Sequence, residues 1–255
     1  MSQAVFSLME SEQSLVITAR DVDAAVPAIP WTDHLEELRY RLWWCLGTVA
    51  VGACVAFAWS RQLVTWLARP VGTLVFMEVH EALLVHMKVA LAIGCLAAAP
   101  VIAYHLWQFV SVGLKARERR LALRLIPWSA GLFLVGALFG YAVMIPQMMR
   151  VFLSFSSDVL RPMISVNAYL SFIIWIVTAF GLAFELPLVM WGLARLGVVK
   201  GRFWQEARPF AIVAIFIIAA AVTPGPDVIS QCLVALPLMV LYEASAWVSR
   251  WGAPR

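Results

Sequence analysis

The chain has 255 residues, of which 63% are hydrophobic and 13% charged, and its formal net charge is +4. Soluble domains are about 45–50% hydrophobic and about 25% charged, so this composition excludes an ordinary soluble globular protein. The basic residues lie in short segments between long apolar runs, which is the pattern of membrane topology and argues against nucleic-acid binding. We therefore predict an integral membrane protein.

The first thirty residues are polar compared with the rest of the chain. They include Glu10, Glu12, Asp21 and Asp23 and have no apolar segment beside an early basic cluster. This pattern is neither that of a secretory signal nor that of a transit peptide. We expect a mobile cytoplasmic tail over 1–30, a membrane domain over 31–250 and a short cytoplasmic C-terminus over 251–255.

Six apolar runs follow the tail, and they predict an all-α, polytopic protein with six transmembrane helices. The runs are Leu42–Trp59, Leu83–Val112, Leu123–Ile145, Ala168–Leu193, Pro209–Val222 and Val228–Val248. The fifth run has fourteen residues, which is short for a hydrocarbon core of about 30 Å. A buried or re-entrant segment therefore stays open as an alternative for this run.

The Lys and Arg residues predict the orientation, because cytoplasmic loops are enriched in them. If the N-terminus is inside, 14 of the 19 fall on the cytoplasmic side. The other five fall on the outer side, and they are Arg61, Arg69, Lys88, Arg150 and Arg161. This split predicts that both termini are cytoplasmic. The alternation of basic and less basic loops also supports the short fifth span. Without this span, the basic residues of 195–208 and those of 250–255 would lie on opposite sides of the membrane.

Residues 31–42 lead into the first apolar run. Asp33 and Glu36 have the spacing of a capping box, and three leucines share one helical face. One interpretation is a helix at the membrane interface in which Glu37 and Arg41 form an i,i+4 ion pair. The other is that Glu37 offers its carboxylate to a cationic partner.

The first basic loop contains one acid, Glu118, among five positive charges. Such a loop usually acts as a topology signal with local ion pairs. A carboxylate at the membrane surface is also suited to bind a cationic ligand, and this interpretation stays open.

Glu185 lies inside the fourth apolar run. An ionised carboxylate is costly there and marks a functional position. Pro187 leaves the carbonyl of Ala183 without its helical donor, so we predict an irregular helix beside the acid. One alternative is a protonated or hydrogen-bonded structural glutamate. Another is a proton- or solute-coupled transporter with Glu185 as its ion site, which would carry out uptake alone in liposomes.

The turn Thr223–Gln231 lies between the last two runs, and Asp227 is placed to cap the sixth helix. The four cysteines form no CxxC pair and have no histidine at ligand spacing, so the sequence implies no metal site and no cofactor. No HExxH motif and no nucleophile–histidine motif is present, which argues against an intramembrane enzyme.

Taken together, these segments resemble the TatC family, the polytopic core subunit of the twin-arginine protein translocase. The likeness runs from about residue 31 to 250. It is carried, in chain order, by His34–Arg39, by Pro70 with Glu81 and Lys88, by Trp107–Phe109 with Glu118–Arg120, by Met163–Phe172, by Phe180–Pro187, by Thr223–Gln231 and by Leu241–Glu243. Two features depart from the family pattern. Val112 stands where the family commonly has proline, and the N-terminal tail is longer than usual.

The resemblance implies a six-helix, cupped molecule in the plasma (inner) membrane of a prokaryote; the thylakoid version of the family is disfavoured by the missing transit peptide. It implies binding of the twin-arginine signal peptides of folded cargo at the cytoplasmic face. The implied partners are TatA and TatB, with a multi-copy complex that contains TatB.

The resemblance also implies roles for individual residues. Those expected at the signal-peptide site are Glu37, Arg39, Phe109, Glu118, Arg119 and Arg120. Glu185 is expected to be an intramembrane polar contact, for the transmembrane helix of TatA, and the fifth and sixth helices are expected to dock TatB. Pro70, Asp227 and Gln231 are expected at structurally or functionally important turns.

Overall fold

The structure is a computed structural model that describes residues 31–69, 71, 74–112, 116–156, 163–199, 202–223, 225 and 227–252, without the side chains of 31–34, 110–122 and 252. The tail predicted over 1–30 lies outside the described residues. The helices are α1 (Trp31–Ala58), α2 (Ser60–Ala68), α3 (Glu81–Val112), α4 (Ala116–Phe139), a π-helical turn (Gly140–Met144), α5 (Ile145–Ser154), α6 (Val166–Ala183), α7 (Leu186–Arg195), α8 (Phe203–Glu206), α9 (Arg208–Val222) and α10 (Val228–Gly252).

The predicted apolar runs all coincide with helices. Within the described residues, five helical stretches are long and apolar enough to cross a membrane: Leu35–Ala58, Glu81–Phe109, Leu123–Ser154, Val166–Arg195 and Val228–Trp251. Helix α9 is the sixth apolar helix, and its 15 residues rise about 22 Å, less than a core of about 30 Å. The prediction of an all-α, polytopic membrane protein is therefore confirmed. The fifth predicted span, which forms α9, is short as expected.

The third and fourth spans are interrupted helices. In the third span, the π-helical turn separates α4 from α5, and Pro146 lies in the first turn of α5. In the fourth span, α6 ends at Ala183 and α7 begins at Leu186, with Pro187 in its first turn. The break predicted beside Glu185 is confirmed, because proline has no N–H to continue the helical ladder.

The core of the unit Trp43–Arg255 lies around α6. Phe180, Ile176 and Leu170 of α6 are fully buried, as are Ile145 and Met148 of α5. Helix α6 packs against α3 and α4, while α7 packs along α10.

Glycines allow α4 and α6 to approach closely. A Cβ at Gly136 would lie 2.5 Å from the carbonyl oxygen of Phe180 and 2.7 Å from Cβ of Phe184. Small residues at helix interfaces commonly permit such contacts in membranes, where dispersion forces replace the hydrophobic effect. This contact fixes α4 beside the break that carries Glu185.

Helix α1 is the span with the fewest buried side chains. Trp43, Trp44 and Val51 are among many large apolar residues that it exposes. Its second half meets α3 at two glycines, where a Cβ on Gly52 would lie 3.1 Å from Cα of Gly94. Most of this span therefore offers its apolar surface to lipid or to another protein.

Two of the predicted outer loops are joined by a short parallel β-bridge between Val75 and Ser165. The amide of Val75 donates to the carbonyl of Ile164 at 3.0 Å, and the amide of Val166 donates to the carbonyl of Val75 at 3.2 Å. The bridge fixes the segment before α3 against the start of α6.

Candidate functional site

Glu185 lies at the break between α6 and α7. Its carboxylate oxygen Oε2 accepts a hydrogen bond of 2.9 Å from the hydroxyl of Ser129 on α4. Ser129 is buried, whereas Glu185 is half-buried. One oxygen of the carboxylate thus has a partner within the chain, and a carboxylate has lone pairs for further donors. The arrangement suits a polar contact inside the membrane.

Residues 31–42 form the first part of α1, and this part contains the predicted acceptor Glu37. Oε1 of Glu37 accepts a hydrogen bond from the guanidinium of Arg41, and both side chains are largely buried. The predicted i,i+4 pair is therefore present. Arg39 instead faces the exposed Glu36, with 3.4 Å between Nη2 and Oε1.

The capping box predicted at Asp33 is wrong. The described helix already includes Trp31 and continues through Asp33. A capping residue must lie outside the helical turn, so Asp33 does not occupy the N-cap position. The helix therefore begins nearer to the N-terminus than the capping pattern indicated.

The other residues expected at the signal-peptide site lie near the connection between α3 and α4. Glu118, Arg119 and Arg120 are in the first two turns of α4, and their side chains lie outside the described part. Phe109 is in the last turn of α3 and is half-buried. The structure thus places the backbone of this group at the junction of the second and third spans.

Two of the predicted turn residues lie at the start of α10: Asp227 directly precedes the helix, whereas Gln231 lies in its first turn and not in the connecting turn. Oδ1 of Asp227 accepts a 2.7 Å hydrogen bond from the amide of Ser230, so Asp227 caps α10 as predicted. This hydrogen bond, which favours the ionised form, lowers the pKa of the Asp227 carboxyl below its usual value. Nε2 of Gln231 donates to the carbonyl of Phe216 at 2.9 Å and ties α10 to α9. The third residue, Pro70, lies outside the described residues.

A polar cluster surrounds Glu81, and the sequence pattern did not predict it; we call it the loop cluster. Oε1 of Glu81 accepts from the hydroxyl of Ser165 at 2.6 Å and from the amide of Asn167 at 2.8 Å. Oε2 accepts from the amide of Met77 at 2.6 Å. The buried carboxylate thereby holds the segment before α3 against the first turn of α6.

Lys88 continues the loop cluster into the membrane domain. Its Nζ donates to Oδ1 of Asn167 at 2.5 Å and to Oγ of Ser171 at 3.2 Å. The available signal was a lysine inside an apolar run together with Asn167 and Ser171, which have i,i+4 spacing at the start of the fourth run. Such spacing places both on one helical face.

A second unanticipated group joins α8 and α9 to α10. Arg208 and Glu243 form an exposed ion pair with 2.6 Å between Nη2 and Oε2. The hydroxyl of Tyr242 donates to the carbonyl of Trp204 at 2.6 Å. These bonds hold the segment before α9 against α10. Among the described residues, no group of three or more His, Cys, Asp and Glu is placed to hold a metal ion.

Comparisons with known proteins give one consistent family. The family model described as Sec-independent protein translocase protein (TatC) matches residues 33–237. A TatC protein of Carboxydothermus hydrogenoformans is 37% identical over 227 residues, which cover 88% of this chain and 93% of that protein. A TatC protein of Aquifex aeolicus is 35% identical over 230 residues, which cover 87% of this chain and 95% of that protein.

A solved structure is also similar over nearly its whole length. It is a crystal structure of the twin-arginine translocase receptor TatC, with a TM-score of 0.79 and 35% sequence identity. The similarity covers 86% of this chain and 99% of that one.

Proposed function

Because this chain belongs to the TatC family of Sec-independent protein translocase proteins, we propose that it is the core receptor subunit of a twin-arginine translocase. In this role it binds twin-arginine signal peptides at the cytoplasmic face and nucleates assembly for the export of folded proteins. The chain is a multi-pass membrane protein and a translocase component, not an enzyme. The observation that carries the receptor role is the likeness to the solved twin-arginine translocase receptor.

The chemistry of the signal peptide requires carboxylates. Two consecutive arginines present planar guanidinium groups, which carboxylates bind through paired, charge-assisted hydrogen bonds. We assign this role to Glu37 and Glu118. Arg39, Arg119 and Arg120 help to keep these acids ionised and to position the basic segments, while Phe109 contributes apolar contact beside them.

The geometry of Glu37 supports this role. Arg41 occupies Oε1 and holds the side chain in one orientation. Within the part of the chain that the structure describes, no hydrogen bond to Oε2 is found, and its lone pairs suit a second guanidinium. An acid that is already oriented loses less side-chain entropy when the signal peptide binds. Arg41 is thus a positioning residue for Glu37.

The partners TatA and TatB have separate places in this proposal. Glu185, with its membrane-embedded carboxylate, is the polar contact for the transmembrane helix of TatA. Helices α9 and α10 dock TatB, since both expose large apolar side chains such as Phe210, Ile217 and Val240. The assembly contains several copies of this chain together with TatB.

The proposed location is the plasma (inner) membrane of a prokaryote with both termini in the cytoplasm. The support is the distribution of Lys and Arg residues over the loops. In this orientation Pro70, Asp227 and Gln231 belong to the outer side of the membrane.

The test is the binding of a labelled twin-arginine signal peptide to the purified full chain, beside the same peptide with two lysines. We expect preference for the arginine peptide. Glu37→Gln and Glu118→Gln should each weaken its binding about tenfold or more, because a hydrogen bond to a charged group contributes roughly 1.5–3 kcal/mol.

Glu36→Gln is the matched control, since Glu36 adjoins Glu37 but is exposed beside Arg39. Its binding should equal that of the parent chain. If the parent chain shows no preference for arginine even after TatB is added, the receptor role is wrong. Glutamate variants that bind normally would remove those residues from the site.

A further inference from the structure

An apolar groove runs between α3, α4 and α6. It has a volume of about 580 Å³ and is lined mainly by aliphatic and aromatic side chains, including Leu91, Cys95 and Phe133. This volume is within the range of about 300–1,000 Å³ that is typical of small-molecule sites. The groove belongs to neither the signal-peptide site nor the Glu185 contact described above.

The dimensions of the groove favour a chain-like occupant. Its lining extends over 88–96 in α3, 133–141 in α4 and the π-helical turn, and 171–178 in α6. Each of these stretches rises about 10–12 Å. A transmembrane helix is about 10–12 Å wide with its side chains and about 30 Å long, so the groove is too short to seat one. A single acyl chain is slender and flexible, so part of it can lie in the apolar groove while the rest continues into the hydrocarbon core.

One end of the groove carries a positive charge. Lys88 and Ser171 both line the groove at this end, and Nζ of Lys88 already donates to the neutral oxygens of Asn167 and Ser171. Among the residues that the structure describes, no carboxylate forms an ion pair with Lys88. An ammonium group has three donors, so one remains for an anionic group.

Aromatic side chains border the same end. Trp66 and Tyr141 also line the groove, and their rings stack with centroids 4.6 Å apart. Trp and Tyr are enriched at the membrane–water interface, where lipid headgroups lie. The charged end is therefore at the depth of the headgroups, and the apolar end points into the hydrocarbon core.

We propose that this groove holds one acyl chain of an anionic phospholipid and that Lys88 binds its phosphate. The lipid fills the space between α3 and α6 and supplies an anionic partner for Lys88, which forms no ion pair with the carboxylates of the described residues. A phosphate at the headgroup depth can accept the remaining N–H of the Lys88 ammonium group.

The experiment is native mass spectrometry of the full chain in detergent, titrated with phosphatidylglycerol or with phosphatidylcholine of identical acyl chains. The parent chain should bind one phosphatidylglycerol about tenfold more tightly, because the anionic headgroup makes a charge-assisted hydrogen bond without a competing choline cation. Excess inorganic phosphate should not displace the lipid, since the acyl chain contributes to binding.

Two pairs of variants separate charge from shape. Lys88→Gln keeps a donor for Asn167 and Ser171 but should lose the headgroup preference, whereas Lys88→Arg should keep it. Cys95→Phe should weaken binding of both lipids by filling the apolar part. Cys54→Phe, at an equally exposed cysteine on α1 outside the groove, should change neither.

Equal binding of the two lipids by the parent chain, or an unchanged preference in Lys88→Gln, would overturn the proposal. So would displacement of the lipid by an equimolar apolar transmembrane peptide, which would assign the groove to a partner helix. No signal peptide is present in this experiment, so its failure leaves the receptor role untouched.

Discussion

Alanine at Gly136 should weaken the packing of α4 against α6. The added Cβ would lie 2.5 Å from the carbonyl oxygen of Phe180 and 2.7 Å from Cβ of Phe184, whereas ordinary contacts of this kind are 3.4–4 Å. The helices must therefore separate by about 1 Å to accept one methyl group in a close-packed interior. The oxygen belongs to the backbone, so a change of rotamer does not relieve the clash.

Gly131 supplies a matched control on the same helix. A Cβ there would meet nothing within 4 Å. Both substitutions gain about 1 kcal/mol of helix propensity relative to glycine. Overpacking adds a cost of about 1–3 kcal/mol only at Gly136. The difference in stability between Gly136→Ala and Gly131→Ala should therefore be about 1–3 kcal/mol in favour of Gly131→Ala.

The assay is reversible unfolding of both variants in the same bicelles, followed by steric trapping. A difference below about 0.5 kcal/mol, the ordinary scatter of surface substitutions, would refute the close approach of α4 and α6. Gly136→Ala should also lower export, since Phe184 adjoins Glu185.

Two further predictions concern single carboxylates. Glu185→Ala should bind signal peptide normally but lower export of a folded cargo about tenfold or more, because a lost hydrogen bond to a charged group costs roughly 1.5–3 kcal/mol; a variant that fails to bind cargo would contradict this role. At Asp227, Asp227→Ala should reduce the hydrogen-exchange protection of the Ser230 amide about fivefold, as expected for a lost helix cap, while Asp227→Asn should retain it. The folded-state pKa of Asp227 is lowered, so the stabilisation from the ionised carboxylate is fully present above the unfolded pKa of about 3.9 and is lost as the pH falls through the folded value. A folded-state pKa of about 3.9 or higher, measured by NMR titration, would contradict the bond to the Ser230 amide.

The spans could be predicted from sequence because the bilayer allows few solutions. A backbone in hydrocarbon must satisfy its own hydrogen bonds, so long apolar runs form helices. The break beside Glu185 was also predictable, since a proline removes one specific N–H. Even the cap at Asp227 followed from local spacing. All these features depend on residues that are near one another in the chain.

The loop cluster could not be predicted because it depends on contacts between distant segments. Glu81 and Ser165 are 84 residues apart, and Lys88 and Asn167 are 79 apart. Hydropathy identifies each span but does not say which helices are neighbours. The failure at Asp33 has a different cause, since a favourable capping pattern did not determine where the helix begins.

Hydrogen bonds between helices are concentrated around α6, whereas the described contact of α1 with α3 is apolar. Glu185 with Ser129, and Lys88 with Asn167, join α6 and the α6–α7 break to α3 and α4 by hydrogen bonds between elements. Interhelical hydrogen bonds in a membrane replace partners that lipid does not provide. Helix α1, in contrast, meets α3 at glycines and exposes most of its apolar side chains. Lipid and another apolar helix are similar surroundings for α1, so either can cover this surface without a change in the packed core.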